Sequence, residues 1–441
     1  MKRKISLWLV LLFVWISIGV VMLFGWSVYH ICYEGTRYSK YGNLIISIAK
    51  FPSLVRDAYT LFGRNQLLLD DKYPNLKAIR LKHSISDDGY LLLSSYDNNY
   101  NQSTVTLLKL SDSKIIHTWV LDLDNKKIKI DFLDRLRKNE FRMFHPLLLE
   151  DGSIIFHNGG SPLISLDIHS NIKWILKGIF HHSLELDADG NIWVPTRIDS
   201  SDVKSQILKL FDNDAIGKVS VNGKLIFQKS IAEILLENGY KGLLFGVGPF
   251  INDPVHLNDI QPALTTTNFW QKGDLLVSLR NLSSVLLYRP TTNKIIWLKT
   301  GPWLNQHDVD FVDSRKIGVF GNDVIRSSLN STHRPDFLIN GYNDEYIYNF
   351  ATNKISTPYT DFFSKFKVST LTEGRSDVLE NGDLFVEESN NGRLFRVNTK
   401  NAIWSFVDRI NGEKISIFSW SRYISKKEFD KCYAKINFNQ K

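Results

Sequence analysis

Residues 149–158 read LEDGSIIFHN: an acidic pair and a glycine, then a short apolar run. Asp-Gly marks a turn, because glycine takes positive φ without steric cost, and the run behind it has the length and residue types of a strand. The same unit returns as SDDGYLLLSS (86–95), DADGNIWVP (187–195), WQKGDLLVSLR (270–280) and LENGDLFVEES (379–389). A sixth copy, VDSRKIGVFGN (312–322), keeps the strands and lacks the turn glycine. Further strands follow, with an aromatic residue at a similar place: Trp119 in KIIHTWV, Trp174 in IKWIL, Phe227 in KLIFQK, Trp297 in KIIWLK and Trp404 in AIWSF. Six copies of such a unit predict an all-β fold, a six-bladed β-propeller whose blades are four-stranded sheets packed radially. The widest gap between turns, from Gly190 to Gly273, predicts an elaborated loop near residues 228–262.

Ahead of the repeats, Lys2, Arg3 and Lys4 precede an uncharged apolar run from Ile5 to Val28, long enough to cross the ~30 Å hydrocarbon layer as one helix. The basic tip keeps the N-terminus in the cytoplasm by the positive-inside rule. A cleaved signal peptide is the alternative, but the run exceeds a usual signal core and no small-x-small site follows it. The prediction is a single-pass inner-membrane protein with its main domain in the periplasm or outside the cell. NLIISIAKFPSLVRDAYTLF (43–62) predicts a short amphipathic helix broken near Pro52, a spacer or a collar against the membrane. The expected division is residues 1–36 for tip and anchor, 37–78 for the spacer, and 79–441 for the propeller.

Across 441 residues, 43% hydrophobic and 12% aromatic content is ample for a large core. Two cysteines exclude a disulfide framework, so packing must hold the domain together. The net charge of +8 is scattered and no nucleic-acid motif is present. No cofactor motif and no metal-ligand spacing such as HxH or HExxH is found, so no cofactor and no catalytic metal are expected. A homodimer remains compatible with the sequence.

Counting back from each turn reaches His83, His145, His182, His307 and Arg375, and His256 ahead of the insertion QPALTTTNFWQ (261–271). A histidine at a strand end, taken alone, is most simply a hydrogen-bonded structural residue. Five in register suggest side chains converging on the central channel, because the first strand of each propeller blade lines it. Arg280, in LLVSLRNLS, adds a cation, and Arg197 stands in the equivalent position one repeat earlier, where an ion pair is the plain alternative. Imidazoles and a guanidinium in one funnel suit a small oxyanion: arginine grips its oxygens, charged histidines add attraction, and a neutral imidazole attacks as nucleophile. Asn258 has an amide to offer the same group.

The stretches DPVHLNDIQPA (253–263), GDLLVSLRNLSSVLLYRPTTNKIIWLKTGPWLNQHDVDF (273–311), IGVFGND (317–323) and HHSLELDADGNIWVP (181–195) resemble the core of the bacterial aryl sulfotransferase family, over about residues 140–410. The resemblance implies a six-bladed propeller and a PAPS-independent, ping-pong transfer of a sulfuryl group from an aryl sulfate ester to a phenol through a sulfohistidine. It implies that His307, in the QHD element, is the nucleophile. It further implies that His256 and Asn258 of the H-x-N element and Arg280 of S-x-R bind sulfate oxygens and stabilise charge. A further family histidine matches the HH pair, best at His182, with His181 as the alternative. Thr372 and Arg375 in TEGRS align only loosely, as substrate-binding contributors. His256 or His182 is suited to protonate the departing phenolate. Asp308 is not expected to orient His307, because adjacent strand residues point to opposite faces. The expected partners are thus an aryl sulfate donor, a phenolic acceptor and the membrane, without nucleic acid. The alternative is a non-catalytic propeller that binds a partner or an anionic glycan at the cell surface.

Overall fold

Four of the five repeat glycines turn as their chemistry dictates, while Gly89 does not take positive φ. Gly152, Gly190, Gly273 and Gly382 have φ between 78° and 88°. Asp151 accepts the backbone N–H of Ser153, and Asp187 accepts those of Asp189 and Asn191, so each aspartate closes its own turn. The structure, a computed structural model, describes residues 6–33, 40–61, 65–80, 85–124, 138, 140–199, 212–246, 253–326 and 336–438. His83 lies outside the described residues.

The strands build an all-β, propeller-like arrangement of antiparallel meanders. Four separate sheets have four or five strands each, where the repeats predict six blades. One comprises Leu257–Pro262, Leu275–Leu279, Ser284–Arg289 and Lys294–Thr300. The next comprises Asp308–Asp313, Lys316–Gly321, Asp344–Asn349 and Lys354–Ser356. A third runs from Arg375–Val378 to Ala402–Val407 and takes Lys77–Ala78 as a parallel outer strand. In the fourth, Tyr90–Asp97, Gln102–Lys109 and Lys114–Trp119 are completed by Arg422–Ile424, a strand from late in the sequence. Two further sheets have two strands each, and a fifth, larger sheet has eight strands. It holds two consecutive meanders, Phe144–Leu148 to Ile172–Phe180 and Glu185–Leu186 to Leu225–Ser230, joined through the pair Thr196 and Phe180.

Burial explains why the strand patterns differ. Middle strands such as Leu275–Leu279 and Tyr90–Asp97 are buried along their whole length, because both faces of each sheet pack against neighbours. Outer strands such as Lys294–Thr300 and Leu225–Ser230 are largely half-buried or exposed. The apolar core is accordingly divided into clusters between successive meanders. One joins Ile216 and Ile231 to Leu257 and Leu286, and another joins Leu276 and Val285 to Val309 and Val319. Polar side chains tie the inner strands together. Asp214 accepts the Leu257 N–H at 2.9 Å, Asp259 that of Val309 at 3.0 Å and Asp308 that of Ser376 at 3.1 Å.

The elaborated loop expected near residues 228–262 contains two short helices, Ile231–Glu237, capped by Ser230, and Lys241–Phe245. The N-terminal residues form a unit of their own, Met1–Asn65, and the chain from Gln66 onward forms the second. Helix α1, Leu7–Tyr33, contains a 25-residue stretch of mean hydropathy 2.7, long and apolar enough to span a membrane. Helix α2, Lys40–Leu61, runs through Pro52 and is not broken there. Proline removes one intrahelical hydrogen bond, and the position is exposed, where the cost of a freed carbonyl is smallest. Tyr41, Leu44, Ile48, Phe51 and Val55 stand exposed on α2 at helical spacing.

Candidate active site

The QHD element sits at the entry to the inner strand Asp308–Asp313, and each of its residues is anchored on a different neighbour. Gln306 is fully buried and donates to Ser278 Oγ at 3.2 Å and to the Ser284 carbonyl at 2.9 Å, both in the preceding sheet. Asp308 lies 3.6 Å from Arg375 Nε and accepts the Ser376 N–H, both in the following sheet, and it makes no bond to His307. Between them His307 is 3% exposed, with Nδ1 2.6 Å from Asn322 Oδ1. Asn322 is itself oriented, since its Nδ2 donates to the carbonyls of Thr370 and Glu373 at 3.2 and 2.8 Å. Its oxygen must therefore accept, and His307 must carry its proton on Nδ1. Burial, then the charge of Arg280, holds His307 well below the ordinary histidine range, against the bonds to Asn322 and the Asn305 carbonyl. A neutral ring protonated at Nδ1 leaves the Nε2 lone pair unprotonated.

Arg280 ends the strand Leu275–Leu279 in a 3-10 turn, Arg280–Leu282. The loop carrying His256 is clipped to it: Arg280 N–H donates to the His256 carbonyl, and Asn281 Nδ2 donates to the Asp253 carbonyl at 2.7 Å. The guanidinium is 3% exposed, its Nε has no hydrogen-bond partner, and among the described residues no carboxylate lies within ion-pair distance. Burial, assisted by Arg326, brings it down to about 10, so it remains cationic at neutral pH. Asp253 and Asp336 act on it only from beyond ion-pair distance, so the buried cation is suited to receive an anion.

Two histidines complete the cluster. His182 packs 5.1 Å from His256 and 6.4 Å from His307, ring centre to ring centre. His256 Nδ1 is hydrogen-bonded to Asp253 Oδ2. His182 Nδ1 lies 2.7 Å from His181 Nδ1, and His181 Nε2 lies 3.5 Å from Asp214 Oδ1. His157 buttresses the bend, with Nε2 donating to the His182 carbonyl at 2.8 Å and Nδ1 accepting from the Gly159 N–H at 2.9 Å. A cavity of about 300 Å³ opens beside His182, lined also by Phe144, His145, His181, Arg197, Glu373 and Trp420.

The other candidates are placed less centrally. Asn258 is fully buried and gives one amide hydrogen to the Gln306 carbonyl at 3.3 Å, so it supports the segment carrying His307. Arg375 is buried between Asp308 and Asp310, at 3.6 and 4.0 Å, and these acids raise its pKa despite its burial. Thr372 is exposed, with Oγ1 on Asn390. Arg197 pairs with Asp212 and Asp214, both at 3.1 Å, which is the plain alternative expected for it. His145 packs against Trp420 with ring centres 3.6 Å apart and the rings tilted by 33°. Among the described residues no group of three or more His, Cys, Asp or Glu is placed to hold a metal ion.

The histidine register is two registers. His145, His182 and His256 have positive φ, at 49°, 59° and 53°, as do Asn305, Glu373 and Trp420 at the matching points before other inner strands. Asn258, His307 and Arg375 stand two residues further along. β-Bulges at Phe144/Leu147 and Leu257/Asp259 add residues that counting from the turns does not see.

The family model for arylsulfotransferase (ASST) matches residues 147–409. The chain belongs to the arylsulfotransferase family. The match contains His182, His256, Arg280, His307 and Arg375. No curated protein matches the sequence. Among solved structures, a protein of unknown function from Bacteroides caccae is 13% identical over 77% of this chain and 99% of its own, with a TM-score of 0.47. Virginiamycin B lyase from Staphylococcus aureus is 11% identical over 60% of this chain and 69% of its own, with a TM-score of 0.35.

Proposed function

We propose that this arylsulfotransferase moves a sulfuryl group from an aryl sulfate to a phenol, without PAPS, through a sulfohistidine on His307. The observation that carries the reading is the pairing of a neutral imidazole, held with Nε2 unprotonated, with a buried arginine that has no carboxylate at ion-pair distance among the described residues. In the first half-reaction the Nε2 lone pair attacks sulfur, an N–S bond forms, and the S–O bond to the aryl group breaks. The phenolate leaves with that electron pair and takes up a proton. In the second, a phenol oxygen gives back that proton and attacks the same sulfur, and the N–S pair returns to Nε2. Arg280 holds the charge on the sulfuryl oxygens in both, assisted by His256 and His182, so catalysis is alignment plus electrostatic stabilisation. Arg375, neutralised by two aspartates, has a supporting part at most in oxygen binding.

The same reading takes the eight-stranded sheet as two fused blades, which brings the count to six. It is supported by left-handed residues ahead of six inner strands, and by apolar clusters that link each meander to the next and the last to the first. Helix α1 is taken as a retained anchor with the propeller on the periplasmic or outer side, as the basic N-terminal tip supports.

Quenching the protein with 4-nitrophenyl sulfate and weighing it intact tests the chemistry. The expected result is one added sulfuryl group on His307, discharged by phenol and absent from His307→Asn. Binding of the ester without any adduct would overturn the reading in favour of a binding module.

A further inference from the structure

The site holds more imidazole than nucleophilic attack and oxyanion binding require. His181 and His182 are neighbours in the chain, yet their Nδ1 atoms meet at 2.7 Å, because the left-handed backbone at His182 turns the two rings toward each other. At that distance one nitrogen donates and the other accepts, so a single proton lies between them. Behind His181 lies Asp214, 1% exposed at its side chain, whose other oxygen is fixed by the Leu257 N–H. Burial alone would favour the neutral acid, but His181, the Leu257 N–H and Arg197 hold Asp214 at about 2, a permanent buried anion. Ahead of His182, its Nε2 has no hydrogen-bond partner among the described residues, and the ring borders the cavity and the other site histidines. The groups facing His182 are His181, His256, His307 and His157; with burial, they hold it well below the ordinary range, so it resists carrying charge.

We infer that Asp214, His181 and His182 form a proton relay to the aryl oxygen, in which His181 holds the charge and His182 passes the proton while remaining neutral. The inference rests on the sulfuryl-transfer reading above. Before donor cleavage His181 is imidazolium, with Nε2–H toward Asp214 and Nδ1–H donated to His182 Nδ1, and His182 carries its proton on Nε2. As the S–O bond breaks, His182 Nε2–H goes to the phenolate oxygen and His181 Nδ1–H moves to His182 Nδ1. His181 is left neutral with Nε2–H, accepting from His182. The acceptor phenol reverses both transfers: its proton goes to His182 Nε2, and the Nδ1 proton returns to His181. Protons balance over the cycle, and no charge is placed on the histidine that touches substrate. His181 and Asp214 are thus positioning residues that act through His182.

A relay matters most for poor leaving groups, so the test is the leaving-group dependence of His181→Gln and Asp214→Asn. Because general acid catalysis is worth about 10²–10⁴, each variant should lose about a thousandfold in kcat/KM with phenyl sulfate and only about tenfold with 4-nitrophenyl sulfate, whose phenolate needs little proton assistance. Equal losses with both donors, in whichever variant retains the wild-type melting temperature, would overturn the relay and leave a structural role. Wild-type protein that forms no sulfohistidine would instead overturn the underlying reaction.

Discussion

Replacing Asn322 by leucine removes the acceptor that fixes His307 and leaves the ring otherwise in place. The Nδ1–H, 2.6 Å from Asn322 Oδ1 and wholly buried, would lose its partner. An orphaned buried donor costs about 1–3 kcal/mol. The ring escapes this cost by moving the proton to Nε2, which is the nitrogen that must attack. At about 1.36 kcal/mol per factor of ten, sulfation should slow by about 5- to 150-fold. The assay is single-turnover formation of the His307 adduct from 4-nitrophenyl sulfate, read by quench and intact mass, with donor affinity obtained from its concentration dependence. The rate constant should fall and the affinity should change far less, because Arg280 is untouched. Asn322 also donates to the Thr370 and Glu373 carbonyls, so a melting curve must accompany the kinetics. Asn322→Asp, which keeps an acceptor for Nδ1–H, should recover part of the loss. A leucine variant that folds and sulfates at the wild-type rate would refute the assignment of Nε2 as the attacking atom.

Arg280→Met should separate stability from activity. It removes a buried cation that has no carboxylate at ion-pair distance among the described residues, so the denaturation midpoint should hold or rise while turnover falls about 10²–10³-fold, the scale for losing one preorganised oxyanion contact. Preserved turnover would contradict the role given to Arg280. His157→Gln should change the acid side of the stability curve. Burial lowers His157 to about 3 in the folded protein, against about 6.5 unfolded, so between those values the unfolded chain binds the extra proton and stability falls as pH drops. By pH 4.5 this amounts to about 2.7 kcal/mol, which the glutamine variant should not lose. Parallel unfolding curves for the two proteins from pH 7 to 4.5 would show that His157 is not held neutral.

The turns and the outer strands were legible because their causes are local. Asp151, Gly152 and Ser153 make their turn from atoms within three residues of one another. His256, Arg280 and His307 were legible through motifs. Their orienting partners were harder to read. Asn322 lies in the quoted IGVFGND stretch, 15 residues beyond His307, and reaches it because the strands Asp308–Asp313 and Lys316–Gly321 are antiparallel neighbours. Asp214 reaches His181 across 33 positions, by the pairing of Ile192–Arg197 with Asp214–Val219. Such partners need strand register, and register here depends on bulges that no spacing in the sequence announces.

Arg280 and Arg375 show why residue type alone does not identify a site. Both are arginines near inner strands, both nearly fully buried, and both have an Nε without a hydrogen bond. Asp308 and Asp310 stand within 4.0 Å of Arg375 and raise its pKa, whereas among the described residues no carboxylate lies within ion-pair distance of Arg280, and burial lowers it against the weaker pull of Asp253 and Asp336. The first therefore has its anion already and serves to bind the strand carrying His307 to its neighbour. The second bears the desolvation cost of a bare cation, a cost a folded protein keeps only where an anion arrives to offset it. An aryl sulfate brings one negative charge beside a neutral imidazole with a free lone pair. Under the proposed sulfuryl transfer, the lack of a nearby carboxylate that makes Arg280 costly to bury is what would make it strong as charge builds on the sulfuryl oxygens.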